Sequence, residues 1–144
     1  MVLSIEWKDR FLALAFHIAS WSKDPSTQVG CVIVDGKTVK AMGYNGFPRG
    51  ANDAERLYND REIKYMRVQH AEVNAIVNYK GDLSGCTAFV THMPCCSCMG
   101  ALINAGIKHI VIATPSGGIN ERFKKSFEVT KHLSVECNVS IEVI

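Results

Sequence analysis

The sequence predicts an α/β fold in which a five-stranded mixed sheet lies between layers of helices. A hairpin signal, Asp35-Gly36, separates two short segments rich in β-branched residues, which predicts an antiparallel pair of strands. After this hairpin, helical and strand-like patterns alternate to the C-terminus, as is typical of parallel strands joined by right-handed crossovers. The 144 residues contain no linker or internal repeat, so we expect a single domain over residues 1–144.

The first third of the chain predicts a helix, the hairpin and a loop. Apolar residues recur at helical spacing over residues 5–22, and Asp24-Pro25 ends that pattern. Residues 29–34 and 37–44 predict the two strands of the hairpin. The turn-forming residues of 45–53 predict a loop.

The rest of the chain predicts alternating helices and strands. The charged segment 54–69 has weak periodicity and predicts a short helix or a loop. Helices are predicted over residues 70–79, 95–105 and 121–136, and strands over residues 87–91, 109–113 and 139–144. Gly106 would end the second of these helices, and residues 115–120 would form a flexible loop.

Composition narrows the classes of function. Hydrophobic residues make up 47% and charged residues 21% of the chain, which is typical of a globular protein. The net charge of +2 gives no electrostatic reason to expect a nucleic-acid or membrane partner. No run approaches the ~18 apolar residues of a membrane span, and the apolar stretch 11–16 follows Glu6 and Asp9, unlike a signal peptide. We therefore expect a cytoplasmic protein.

Cysteine usage gives the first sign of chemistry. The six cysteines are Cys31, Cys86, Cys95, Cys96, Cys98 and Cys137. Without a secretory signal, free thiols or metal ligation are favoured over three disulfides. Three of the six fall within residues 95–98, whereas the other three are expected to pack as apolar thiols in the core.

A metal site is predicted from His70, Cys95 and Cys98. These residues would supply one imidazole and two thiolates, which are donors that zinc prefers. Cys95 and Cys98 are three residues apart and would share one face of a helical turn. Three protein ligands are typical of catalytic zinc and four of structural zinc. A fourth ligand would have to come from Cys96, His92 or a distant residue.

The surroundings of this site favour catalysis. Both ligand clusters begin predicted helices, and the positive ends of two helix dipoles would lower the pKa of the thiols. Glu72 lies two residues after His70 and need not be a ligand. Zinc lowers the pKa of bound water from 15.7 towards about 7, and Glu72 is placed to accept the proton.

Further motifs surround these residues. The pattern H-x-E…P-C-x-x-C is matched at His70, Glu72, Pro94, Cys95 and Cys98 and is the signature of zinc deaminases. Together with segments 22–30 (SKDPSTQVG), 43–50 (GYNGFPRG) and 70–76 (HAEVNAI), it makes the chain resemble the deoxycytidylate (dCMP) deaminases over roughly residues 5–112. The resemblance implies a three-layer α/β/α cytidine-deaminase-like fold. It also implies zinc-dependent conversion of dCMP to dUMP and ammonia, which supplies dUMP for thymidylate synthesis.

The same resemblance implies roles for residues around the base and the sugar. On chemical grounds, Glu72 would deliver the proton that it takes from water to ring nitrogen N3 and later help ammonia leave, and the resemblance adds the contacts below. The backbone N–H of Ala71 would meet the pyrimidine carbonyl, and Asn45 would bind the sugar hydroxyl. His92 departs from the family, which usually has an apolar residue there; it could contact substrate or fill space.

A phosphate site and a set of effectors are also implied by the resemblance. Ser26 and Gln28 are candidates for binding the 5′-phosphate, and Lys23 and Arg49 for contacting this phosphate or a regulatory nucleotide. The family likeness implies activation by dCTP, inhibition by dTTP and a homo-oligomer, with a hexamer favoured. Residues 51–69 contain no Cys or His, so we expect one catalytic zinc per chain and no second structural zinc.

Three alternatives stay open at this point. The enzyme could also accept dCTP, because the number of substrate phosphates depends on loop geometry. A deaminase of polynucleotides, acting on tRNA adenosine or single-stranded DNA cytosine, would need a basic surface, against which the charge of +2 argues. A non-enzymatic structural zinc module is least favoured, because three ligands lie beside a carboxylate.

Overall fold

A single five-stranded sheet organises the computed structural model, which describes residues 2–116 and 121–144. The strands are β1 (Gly30–Asp35), β2 (Thr38–Tyr44), β3 (Thr87–Val90), β4 (His109–Ile112) and β5 (Ser140–Val143). The helices are α1 (Ile5–Ala19), α2 (Glu55–Asn59), α3 (Arg61–Arg67), α4 (Ala71–Asn78), α5 (Cys96–Asn104) and α6 (Glu121–Glu136).

The sheet has the order β2-β1-β3-β4-β5 and is mixed. β1 runs antiparallel to both β2 and β3, and β3, β4 and β5 run parallel to one another. Gly36 has a φ of 57° in the turn between β1 and β2, a conformation that glycine adopts without steric cost. The predicted hairpin and the predicted parallel pairing are both confirmed.

Helices cover both faces of the sheet, so the predicted layered α/β fold is confirmed. On one face, α1 packs through Phe11 and Ile18 against Val32 and Phe89, and the rings of Phe11 and Phe89 are 5.3 Å apart. On the other face, α4 and α5 pack on the sheet, and Leu133 of α6 joins their apolar cluster. No helix in the described part of the chain is long and apolar enough to cross a bilayer.

Three details differ from the sequence-based expectations or go beyond them. Segment 54–69 forms two short helices, and Asp60 between them accepts a hydrogen bond from the Ile63 N–H at 3.2 Å. Cys137 is exposed, so its predicted place in the core is wrong; it follows α6 at the surface. Of the predicted loop 115–120, residues 117–120 lie outside the described residues.

Gly43 allows β2 and α4 to pack closely. A Cβ atom at this position would lie 2.3 Å from the Ala75 nitrogen and 2.5 Å from the Ala71 carbonyl oxygen. Both alanines are fully buried, so the helix meets the strand through small residues on both sides. Ala71 is also the first residue of α4, so this close contact lies at the turn where the helix begins.

Replacing Gly43 by alanine should lower the free energy of unfolding by about 1–3 kcal/mol, because the added methyl group would overlap backbone atoms of α4. Urea unfolding of the purified variant measures this change. Gly100→Ala is the matched control, since a Cβ atom at Gly100 in α5 meets nothing within 4 Å. That variant should be as stable as the parent or more stable by roughly 0.5–1 kcal/mol. Equal stability of Gly43→Ala and the parent would contradict the packing argument.

Candidate active site

The N-termini of α4 and α5 meet at the candidate site. His70 is the residue before α4 and Cys95 the residue before α5, and both have extended backbone there. The first N–H groups of each helix have no partner within the helix, and their dipoles favour negative charge. The expectation that both ligand clusters begin helices is confirmed.

Neighbouring segments hold both helix starts in place. Gln69, just before His70, pairs with Gly46 through two backbone hydrogen bonds of 2.8 and 3.1 Å. On the other side, the buried Thr130 hydroxyl of α6 donates to the Pro94 carbonyl at 2.9 Å. Ser126 of α6 accepts the Cys96 N–H at 2.8 Å. The ligand-bearing turns are therefore braced by the β2–α2 loop and by α6.

His70, Cys95 and Cys98 come together as one donor group. His70 Nδ1 lies 3.2 Å from Cys98 Sγ and 3.5 Å from Cys95 Sγ, and one atom of each residue lies within 4.8 Å of the others. Around a tetrahedral zinc ion with bonds of about 2.0–2.3 Å, such donors lie roughly 3.5 Å apart. Within the described residues this group has three members, which is the number that catalytic zinc sites provide.

The thiols of this group are electrostatically coupled. The pKa of Cys95 falls to about 4, because the Cys98 thiol and then His70 hydrogen-bond to its thiolate, while burial opposes the change. The pKa of Cys98 rises, since that thiol donates to Cys95 and is also buried. The pKa of His70 is raised by its hydrogen bond to Cys95. The group stabilises negative charge on sulfur, as a cation site requires.

Glu72 is a buried carboxyl group beside these ligands. It lies in the first turn of α4 with only 4% of its surface exposed. Burial raises its pKa to about 6, although its hydrogen bond to a backbone N–H and the charge of His70 act in the opposite direction. The carboxyl group also hydrogen-bonds with Cys98. A group with a pKa near neutrality can both accept and return protons.

Asn45 clamps the loop that precedes β1. Its Oδ1 accepts the Val29 N–H at 2.8 Å, and its Nδ2 donates to the Thr27 carbonyl at 2.9 Å. One lone pair of Oδ1 remains for another donor. The predicted contact with a sugar hydroxyl is compatible with this geometry and stays a prediction.

Ser26 and Gln28, the two candidates for binding the phosphate, already form hydrogen bonds within the loop. The Ser26 N–H donates to Asp24 Oδ1 at 2.8 Å, and Gln28 Nε2 donates to the Ser22 carbonyl at 2.7 Å. Both side chains are exposed. The exposed Ser26 hydroxyl could bind an anion without breaking either of these hydrogen bonds.

The two predicted cationic residues each have a side-chain partner outside the ligand group. Lys23 forms an exposed ion pair with Asp53 at 2.5 Å, and this hydrogen bond raises the pKa of the lysine. Arg49 Nη2 donates to Asn78 Oδ1 at 2.7 Å, at the C-terminal end of α4. Because the eight residues of α4 rise about 12 Å, Arg49 is at the opposite end of that helix from His70.

The structure shows the surroundings of His92 and Cys96, whose roles the sequence left open. His92 Nδ1 lies 2.7 Å from the Thr91 hydroxyl, which itself accepts the Gly30 N–H; burial lowers the pKa of His92. Neither His92 nor Cys96 belongs to the three-residue donor group that the described residues form. The structure thus gives no support for a fourth protein ligand from these two positions.

Sequence reasoning missed a buried ion pair between Asp24 and Lys64. Lys64 Nζ lies 3.2 Å from Asp24 Oδ1. In the sequence, Asp24 belongs to a helix-ending dipeptide and to the family-like segment 22–30, and Lys64 lies in the weakly periodic segment 54–69. No spacing rule connects these two positions, so only the folded structure reveals the pair.

Comparison of the sequence with known proteins gives consistent results. Residues 5–114 match the family described as the cytidine and deoxycytidylate deaminase zinc-binding region. A deaminase of Aliivibrio fischeri encoded 3′ of luxG is 38% identical over 136 residues, which cover 94% of this chain and 92% of the relative. Human deoxycytidylate deaminase is 37% identical over 133 residues, which cover 88% of this chain and 71% of the relative.

The fold has a counterpart among solved structures. The dCMP deaminase of the cyanophage S-TIM5, solved in complex with dCMP and dUMP, superposes with a TM-score of 0.80 over 99% of this chain and 100% of the phage chain. The two sequences are 23% identical. This likeness supports the cytidine-deaminase-like architecture.

Removal of either ligand sulfur should abolish zinc binding. Cys95→Ala and Cys98→Ala should each lose the metal on dialysis, because a site with three protein ligands cannot spare a thiolate. The metal content of each purified variant, measured by atomic emission, checks this. Cys96→Ala is the matched control and should retain the zinc of the parent protein. The assignment would be wrong by one position if Cys96→Ala emptied the site and Cys95→Ala did not.

Proposed function

Because the chain belongs to the cytidine and deoxycytidylate deaminase family, we propose that this deaminase hydrolyses dCMP to dUMP and ammonia. The observation that carries the proposal is the buried Glu72 beside the group of His70, Cys95 and Cys98. A structural zinc module does not require a buried carboxyl group next to three ligands. The product dUMP would feed thymidylate synthesis.

The donor group is suited to hold the zinc ion. His70, Cys95 and Cys98 would bind it through one nitrogen and two sulfur atoms. Zinc in such a site supplies a water molecule of lowered pKa and so provides a nucleophile at neutral pH. The two helix N-termini stabilise the thiolates that this requires.

Glu72 would move the protons of the reaction. With its pKa raised to about 6 by burial, it can take a proton from the nucleophilic water and pass it to ring nitrogen N3. The same carboxyl group can then protonate the departing amino group, so that ammonia leaves. A single acid–base group suffices if it reaches both the water and the ring.

The first turn of α4 would orient the base. The N–H of Ala71 is at the first helical position and has no acceptor within the helix. A pyrimidine carbonyl oxygen would satisfy this donor next to Glu72. Gly43 lets β2 come close to the same turn, which leaves the donor in a buried and fixed position.

The loop of residues 22–28 is the proposed site of the nucleotide's sugar and phosphate. Asn45 would bind the sugar hydroxyl through the free lone pair of its Oδ1, and Ser26 and Gln28 would contact the phosphate. Lys23 and Arg49 are further cations for this phosphate or for a regulatory nucleotide. Activation by dCTP, inhibition by dTTP and assembly into a hexamer also belong to this proposal.

Glu72→Gln should retain zinc and fold but lose turnover by about 10²–10⁴-fold or more, because an amide hydrogen-bonds without transferring protons. Ammonia release from dCMP by the zinc-loaded variant measures this. The parent protein at equal zinc content is the reference. A variant that turned over dCMP at nearly the parental rate would remove Glu72 from the mechanism.

A substrate panel tests the proposed function. We expect kcat/KM to be highest for dCMP and at least about 100-fold lower for deoxycytidine, because phosphate donors left unpaired cost free energy. The panel adds dCTP, CMP and a single-stranded oligonucleotide, with ammonia as the readout. Highest efficiency on the oligonucleotide would instead support a polynucleotide deaminase. Equal efficiency on dCMP and deoxycytidine would contradict the phosphate site.

The same assay with dCTP or dTTP added tests the regulatory part. An effector changes the rate only if it binds one state of the enzyme more tightly than another. Saturation curves for dCMP that superimpose with and without the two nucleotides would remove regulation from the proposal and leave the deaminase activity intact.

A further inference from the structure

Lys64 and Asp24 form an ion pair that is buried on both sides. Their side chains are 3% and 6% exposed, and Nζ lies 3.2 Å from Oδ1. The other ion pairs of residues 2–116 and 121–144, Lys8–Glu142 and Lys23–Asp53, are partly or largely exposed. Removing two charges from water has a free-energy cost that can exceed the attraction between them. A buried pair of this kind is therefore weak evidence for a role in stability alone.

The carboxylate of Asp24 is the centre of the 22–28 loop. Its Oδ1 accepts the N–H groups of Ser26 at 2.8 Å and Thr27 at 3.2 Å, besides the Lys64 ammonium. Its Oδ2 faces Asn45 Nδ2 at 3.5 Å. The loop that would carry the sugar and phosphate contacts is thus wrapped around one buried anion.

Lys64 ties this anion to the segment that leads to the ligand group. It lies in α3, where its carbonyl oxygen accepts the N–H of Val68 at 2.8 Å. The following residue, Gln69, pairs with Gly46 and precedes His70. The ammonium group therefore joins the 22–28 loop to the chain that enters α4.

We propose that the Lys64–Asp24 pair is a positioning device that holds the 22–28 loop in its nucleotide-binding conformation. This inference rests on the proposed dCMP deaminase function. Both groups are buried and hydrogen-bond within the protein, so neither needs to touch the substrate. Lys64 acts through Asp24, and Asp24 acts through the Ser26 and Thr27 amides and through Asn45.

This role predicts a specific kinetic change. Without the ammonium group the Asp24 carboxylate would be buried and unpaired, and it would turn towards water. The Ser26 and Thr27 amides would then lose their acceptor. The loop would bind the nucleotide less well, whereas Glu72 and the ligand group on α4 and α5 would keep their geometry. KM for dCMP should rise while kcat and zinc content change little.

Two double variants test this without leaving a buried charge. Asp24→Asn/Lys64→Met keeps an amide oxygen for the Ser26 and Thr27 N–H groups, whereas Asp24→Leu/Lys64→Met removes that acceptor. We expect KM for dCMP within about threefold of the parent for the first and raised about tenfold or more for the second, with similar kcat. Lys8→Met, which breaks a surface ion pair, is the control and should match the parent.

Three further readouts separate positioning from a general loss of structure. Hydrogen exchange at the Ser26 and Thr27 amides should accelerate in the Leu/Met variant and stay slow in the Asn/Met variant. KM for deoxycytidine, which lacks the phosphate, should change less than KM for dCMP. Lys64→Met alone should raise KM for dCMP, and the added Asp24→Asn change should reverse this.

The outcomes are distinguishable. Equal KM values for the two double variants would overturn the positioning role. A raised KM in the Asn/Met variant despite slow amide exchange would also overturn it, and would indicate that Lys64 or Asp24 contacts the substrate directly. Parent protein that releases no ammonia from dCMP would overturn the proposed function instead, and this inference with it.

Discussion

The meeting of two helix N-termini above the sheet is the constraint on which the site depends. α4 and α5 pack side by side on one face, so His70 and Cys95 are neighbours although 25 residues separate them. Each helix directs N–H groups that have no partner within the helix, and the positive end of its dipole, to the same volume. Thiolates, a buried carboxylate and a polar substrate can be accommodated there because the backbone itself supplies positive potential. Gly43 and the alanines of α4 allow the start of this helix to lie directly against the sheet.

Burial gives the charged groups of the site different tasks. Cys95 is stabilised as a thiolate by donors around it, which suits a metal ligand that must remain charged. For Glu72, burial outweighs the hydrogen bonds to its carboxyl group and the charge of His70, so its pKa rises to about 6. One group therefore holds its charge and the other can exchange it. This separation between neighbouring residues is what acid–base catalysis beside a cation requires.

Local patterns in the sequence predicted the fold and the ligand group, but not the contacts that join distant segments. The spacing of Cys95 and Cys98 specifies one helical turn, and hydrophobic periodicity specifies the strands and the long helices, because both are properties of consecutive residues. Lys64 lies in a charged segment, and nothing in the sequence distinguishes this buried lysine from its solvent-exposed neighbours. Cys137 was assigned to the core because cysteines usually are buried, yet the end of α6 leaves it at the surface.

Asn45 shows why loop order and ligand binding are linked in this molecule. The family resemblance implies a sugar contact for Asn45, and in the structure its amide group hydrogen-bonds to the Val29 N–H and the Thr27 carbonyl. Both roles use one side chain, because a carbonyl oxygen has two lone pairs. A sugar hydroxyl that binds Oδ1 would find that atom already aimed by the loop, so little conformational entropy remains to be lost on binding. Conversely, a nucleotide that binds the ordered loop more tightly than the disordered loop would stabilise the ordered loop by that difference in binding free energy.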